Sequence, residues 1–173
     1  HRLAAFRVAA TLALAFDKAT FIVGAEAWAR AKDPHPRDRA SFVPELNQLL
    51  EQSGRLEVLD AGATHSDTLG PVFSFSYSDG HTPGLLLTRI EGPEGPVTFM
   101  GDLIPGVPWV HLPITMGYDR YPERIIDEKR EMLERVVGEE GWAFFTHDPN
   151  TALCRVQVDE RGRFSGDELR AEL

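Results

Sequence analysis

The stretch Ser78-Asp79-Gly80-His81-Thr82-Pro83-Gly84 is answered later in the chain by Phe99-Met100-Gly101-Asp102-Leu103 and by Phe144-Phe145-Thr146-His147-Asp148-Pro149. In each, a side chain of metal-ligand type follows or ends a run that reads as a strand. Imidazole nitrogens and a carboxylate form a ligand set that zinc, iron or manganese accepts without thiolate. A carboxylate can also be shared between two metals, so an Asp between two His segments is the more informative arrangement. Glycine at 80, 84 and 101 permits tight turns and close backbone approach beside these residues. Spacing alone is weak support, because the three lie far apart and a His or Asp at a strand end commonly makes only local hydrogen bonds.

Outward from these segments, the chain reads as interleaved helices and strands over one core. The run Leu3 to Phe16 is almost entirely apolar, interrupted by Arg7 and Thr11. It suits a buried helix, with a signal-peptide hydrophobic region as the competing reading; it is too short to span a bilayer. Thr20 to Val23 reads as a buried strand, Ala25 to Lys32 as a short helix, and Arg37 to Gln52 as a second helix. Short strands follow at Leu56–Leu59, Pro71–Tyr77, Gly84–Ile90 and Val97–Met100, separated by Gly, Pro and Asp turns. From Pro122 to Val137 the apolar positions Ile125, Ile126, Met132, Leu133, Val136 and Val137 recur at helical spacing, with Gly138 placed to stop the helix. Trp142 to Thr146 and Leu153 to Val158 read as further strands.

A chain of 173 residues with 42% hydrophobic content supports one domain, 1–173, with a sizeable core. Its formal charge of −9 argues against a nucleic-acid partner and an anionic membrane surface, and favours a small-molecule substrate. The lone Cys154 excludes an internal disulfide framework and cannot make a thiolate site by itself, which sets the cytoplasm as the expected compartment. The chain opens on His1 with no Met, a start that marks trimming, processing or cloning as a fragment.

The wording Gly80-His81-Thr82-Pro83-Gly84, then Gly101-Asp102, then a strand-terminal His147, resembles the second half of the metallo-β-lactamase superfamily. The likeness runs from Ala19 to Phe164 and includes Met116-Gly117-Tyr118-Asp119 and Phe144-Phe145-Thr146-His147-Asp148-Pro149. It implies an α/β fold, the αββα sandwich, with its N-terminal sheet incomplete and a metal site at one edge. It further implies two zinc ions, with iron or manganese as alternatives: His81 holding the first, Asp102 bridging as the catalytic carboxylate, and His147 holding the second. The implied reaction is hydrolysis of a small ester, lactone, amide or thioester by metal-bound hydroxide. The family's leading His-x-His-x-Asp-His motif is absent from the chain as given. His1 is read as its last trace and a second-metal ligand, against a merely terminal histidine.

Other polar residues carry colder readings. Trp109 and Tyr118 are expected to line the substrate cleft, Met116 and Phe99 to form an apolar wall, with core packing favoured for Phe99. Asp119 reads as a cleft residue or a helix cap, and Asp148 as a supporting partner of His147 or a turn former. His35 and His65 read as solvated, and His111 as a structural or surface residue. A non-catalytic module that keeps the fold without a complete metal site stands as the alternative function. An incomplete first sheet would also expose an edge and an apolar face, so self-association is expected.

Overall fold

The computed structural model describes residues 5–8 and 11–172, with the side chains of 12–172. His1 therefore lies outside the described residues. The chain divides into two compact units, His1–Ala63 and Thr64–Leu173.

In the first unit, strands β1 (Ala5–Val8) and β2 (Thr11–Leu14) pair antiparallel, Ala5 opposite Leu14 and Val8 opposite Thr11. Over Ala5–Val8 and Thr11–Leu14 the helix expected for Leu3 to Phe16 is thus corrected to a pair of strands, while residues 3, 4, 9 and 10 lie outside the described residues. A short apolar run carries no periodicity that separates a buried helix from a strand, and the two polar interruptions fall within the paired segments. Strand β3 (Phe21–Gly24) leads directly into helix α1 (Ala25–Lys32). The second expected helix is shorter than its sequence reading. Only a 3-10 turn covers Arg39–Ser41, and α2 begins at Pro44 and runs to Gln52. Proline disfavours helical geometry in the residue before it while suiting the first helical position itself, so it divides the segment. Strand β4 (Leu56–Leu59) pairs parallel with β3. The Asn47 side chain donates to the Ala31 carbonyl at 2.7 Å, tying α2 to α1.

The second unit is built on one six-stranded sheet. Its strands are β5 (Phe73–Ser78), β6 (Leu85–Ile90), β7 (Val97–Phe99), β8 (Trp142–Phe144), β9 (Leu153–Val158) and β10 (Phe164–Arg170), and they stand side by side in sequence order. All neighbours are antiparallel except β7 and β8, which run parallel. A parallel pair needs a crossover connection, and helix α3 (Pro122–Gly138) lies in that connection. Its apolar stripe buries Ile125, Met132, Leu133 and Val136 in one cluster with Leu87 and Met100. Each such burial contributes about 1.5–3 kcal/mol. Gly138 is the last helical residue rather than a left-handed stop; the positive φ of 49° falls on Glu140. Strand β10 had no sequence signal, because Phe164–Arg170 is polar and mostly exposed and its pairing shifts register between Asp167 and Arg170. Among the described residues, no helix is long and apolar enough to cross a membrane.

Candidate metal centre

Strands β5, β7 and β8 all point the same way, since β5 and β7 are each antiparallel to β6 and β8 is parallel to β7. They end at Ser78, Phe99 and Phe144, with Phe99 paired to Phe144. His81, Asp102 and His147 each follow three residues beyond their strand's last residue. The sheet therefore delivers all three to one edge. The loops are stitched there: the Met100 amide donates to the Phe144 carbonyl at 2.9 Å, and the Thr146 hydroxyl to the Gly101 carbonyl at 3.0 Å. Gly101, at φ +52°, turns the chain where most side chains are disfavoured.

The three side chains meet. His81 Nε2 lies 3.3 Å from Asp102 Oδ2, and His147 Nε2 lies 3.1 Å from Asp102 Oδ1. Each imidazole faces a different oxygen of the same carboxylate. His81 is largely buried, whereas the His147 side chain is 66% exposed. A hydrogen bond from His81 and the charges of both histidines hold the Asp102 carboxyl below the usual carboxylate range, against the opposing effect of burial. Burial pushes the His81 imidazole down, but its hydrogen bonds to Asp102 and Asp119 and their charges outweigh it, and its pKa is raised.

The other ring nitrogen of His81 is committed. Nδ1 donates to Oδ1 of Asp119 at 2.9 Å, while Asp119 Oδ2 accepts from the Met116 amide at 2.6 Å. The Asp119 side chain is only 1% exposed. It is thus the residue that fixes the His81 ring, rather than a helix cap. Such a carboxylate sets the tautomer so that Nε2 is the nitrogen presented outward.

Helix α3 secures the His81 loop from behind. Glu128 accepts from the Ser78 hydroxyl at 2.6 Å and from the Asp79 and Gly80 amides at 3.0 Å each. Arg124 holds Glu128 at 2.9 Å and also pairs with Asp79. A Cβ on Gly80 would stand 2.8 Å from the backbone N and Cα of Ile125, so the loop reaches the helix only because this residue is glycine. One position further along α3, Lys129 is buried and donates to the carbonyls of His111, Leu112 and Ile114 at 2.9, 3.1 and 2.8 Å. Neither Glu128 nor Lys129 was singled out from sequence. The available signal was a lysine in register with Ile125 on the apolar stripe of an amphipathic helix.

The remaining expected residues separate. Tyr118 is 65% exposed and stands edge-on to His81, with ring centroids 6.2 Å apart. Trp109 packs against the core cluster with its indole N–H buried and unpartnered. Phe99 is partly exposed and packs beside Phe144. Asp148 is a turn former: Oδ1 accepts from the Asn150 and Thr151 amides and Oδ2 from that of Val107. Cys154 packs in the core cluster, where burial pushes its thiol up to about 12.

This donor set fits a divalent cation in part. Two ligands about 2.0–2.1 Å from a tetrahedral ion stand roughly 3.3 Å apart, close to both imidazole-to-carboxylate separations. Among the described residues, however, no group of three or more His, Cys, Asp or Glu side chains could hold a metal by itself. The two observations agree if the arrangement is read as two pairs sharing Asp102: His81 with Oδ2, and His147 with Oδ1.

The same fold occurs in a probable metal-dependent hydrolase from Staphylococcus aureus, 23% identical, with a TM-score of 0.75 over 92% of this chain and 55% of that one. It occurs also in the hydrolase AbOPH of the β-lactamase superfamily, 14% identical, with a TM-score of 0.72 over 92% of this chain and 58% of that one. The chain has the metallo-β-lactamase fold. A third protein of this fold is AidC, a dizinc quorum-quenching lactonase solved with the product N-hexanoyl-L-homoserine; it is 20% identical, with a TM-score of 0.67 over 91% of this chain and 58% of that one. The chain spans 55% to 58% of the length of these three metallo-β-lactamase-fold proteins. No protein-family model matches it, and no curated protein does.

Proposed function

We propose that this chain carries the shared-carboxylate half of a two-metal hydrolase site acting on a small ester or lactone, with amides and thioesters as wider members of the class. The observation that carries the reading is Asp102, whose two oxygens face the Nε2 atoms of two different histidines. His81 and Asp102 would hold one ion, and Asp102 and His147 the other, zinc being the favoured metal for this donor set. Bound there, the metals would supply activated water and polarisation of the substrate carbonyl. The chain's own residues do the rest. Asp119 holds the His81 proton on Nδ1, Glu128 and Gly80 fix the loop that carries His81, and Tyr118 offers an exposed aromatic edge beside it. The lactonase and hydrolase neighbours support the substrate class, and further ligands would come from outside the described residues.

Metal analysis of the purified protein and turnover of N-acyl homoserine lactones and nitrophenyl esters test the reading. At least one zinc per chain, with hydrolysis abolished by His81→Ala and Asp102→Ala, is the expected result. Less than one metal, with no hydrolysis on adding zinc or manganese, would overturn it. The second reading is a non-catalytic module of the same fold. That reading requires binding of its partner to survive His81→Ala and His147→Ala together.

A further inference from the structure

Lys129 occupies a buried position on α3 between Ile125 and Met132, where a methionine would fill similar space without desolvating a charge. Its ammonium is met instead by three carbonyls, all from the segment His111–Ile114. That segment leads into Met116, whose amide binds Asp119, which in turn holds the ring of His81. The charge of Asp119 also acts on the Lys129 ammonium and favours its protonated form. Two buried ionic groups from different elements thus converge on one loop, and neither is a member of the proposed ligand set.

We infer that Lys129 is a positioning residue for the metal centre: it fixes the backbone of the 111–119 loop and serves as counter-charge to Asp119, so that the affinity of the His81 half-site for zinc depends on it. The inference rests on the two-metal reading above. The bland alternative is that Lys129 only stiffens the loop, which would affect stability but not the ligand.

A double-mutant cycle separates the two. Zinc affinity is measured by chelator competition for the unsubstituted protein, Lys129→Met, Asp119→Asn and the pair, with unfolding midpoints recorded alongside. Each single change is expected to weaken zinc binding by about 10- to 100-fold, and the pair to be little worse than Asp119→Asn alone. A Lys129→Met protein that is less stable yet binds zinc as the unsubstituted protein does would overturn the inference while leaving the metal site standing. No zinc binding by the unsubstituted protein would overturn both. If Lys129→Met does not fold, the side-chain nitrogen of Lys129 is titrated by NMR in the unsubstituted protein and in Asp119→Asn. A fall of about half a pH unit or more in the substituted protein supports the pairing; an unchanged midpoint overturns it.

Discussion

Asp119 Oδ1 lies 2.9 Å from Nδ1 of His81, with the carboxylate almost wholly buried behind the ring. The contact converts a histidine in a loop into one with a fixed tautomer and a fixed direction. Replacing Asp119 by Asn keeps the shape but removes the charge. Zinc affinity should fall by about 10- to 100-fold, read by competition with a chromophoric chelator. Affinity equal to that of the unsubstituted protein would show that the carboxylate is dispensable for aiming the ring.

Gly80→Ala should destabilise the fold by about 1–3 kcal/mol, the usual cost of forcing atoms into a packed contact. The added methyl group would meet the backbone of Ile125, which cannot swing aside as a side-chain tip could. Gly117→Ala is the control: its Cβ meets nothing within 4 Å and its φ is not positive. Urea unfolding midpoints compare the two, and equal midpoints would contradict the close-packing account.

Glu128→Ala removes one acceptor group from four donors at once, the Ser78 hydroxyl, the Asp79 and Gly80 amides and the Arg124 guanidinium. A buried donor left unmet costs about 1–3 kcal/mol, less for those that water can reach. A total loss of about 2–4 kcal/mol is expected, together with weaker zinc binding because the same loop carries His81. Glu128→Gln, which keeps one oxygen, should fall between. Chemical denaturation ranks the three proteins.

Burial pushes the Lys129 ammonium down to about 8 from its ordinary value of 10.5, with the charge of Asp119 opposing the fall. Between these two values the unfolded chain binds more protons than the folded one, so this residue makes the protein more stable as pH rises from about 8 toward 10.5. Below about 8 both states are protonated and the cost of burying the charge is carried in full. The difference is on the order of 3 kcal/mol at most. Measured against Lys129→Met at each pH, stability of the unsubstituted protein should gain across this window. A flat difference would mean that the three carbonyl contacts cancel the burial cost.

The three proposed ligands were legible because His and Asp stood just beyond apolar, β-branched or aromatic runs, with glycines beside His81 and Asp102. Their meeting was not legible, since it depends on the register that sets Phe99 against Phe144, a long-range property. Helix α1 and the long α3 announced themselves by periodicity and boundary residues. The strands at Ala5–Val8 and Thr11–Leu14 did not, because a few apolar residues fit either structure. Glu128 and Lys129 stayed hidden for a different reason, and Asp119, read as a cleft residue or a helix cap, hid its role behind the ring of His81: charged side chains ordinarily face water, and only the fold shows which ones turn inward to hold a loop.

Within a single turn of α3, Ile125 abuts Gly80, Glu128 binds the loop of His81, and Lys129 binds the segment leading to Asp119. Fraying of that turn would release both loops together. Amide exchange at Gly80 and Met116 should then report a common opening free energy, with protection lost in one cooperative event rather than loop by loop. The turn would behave as a latch whose local melting, rather than global unfolding, sets how long the edge of the sheet keeps its shape.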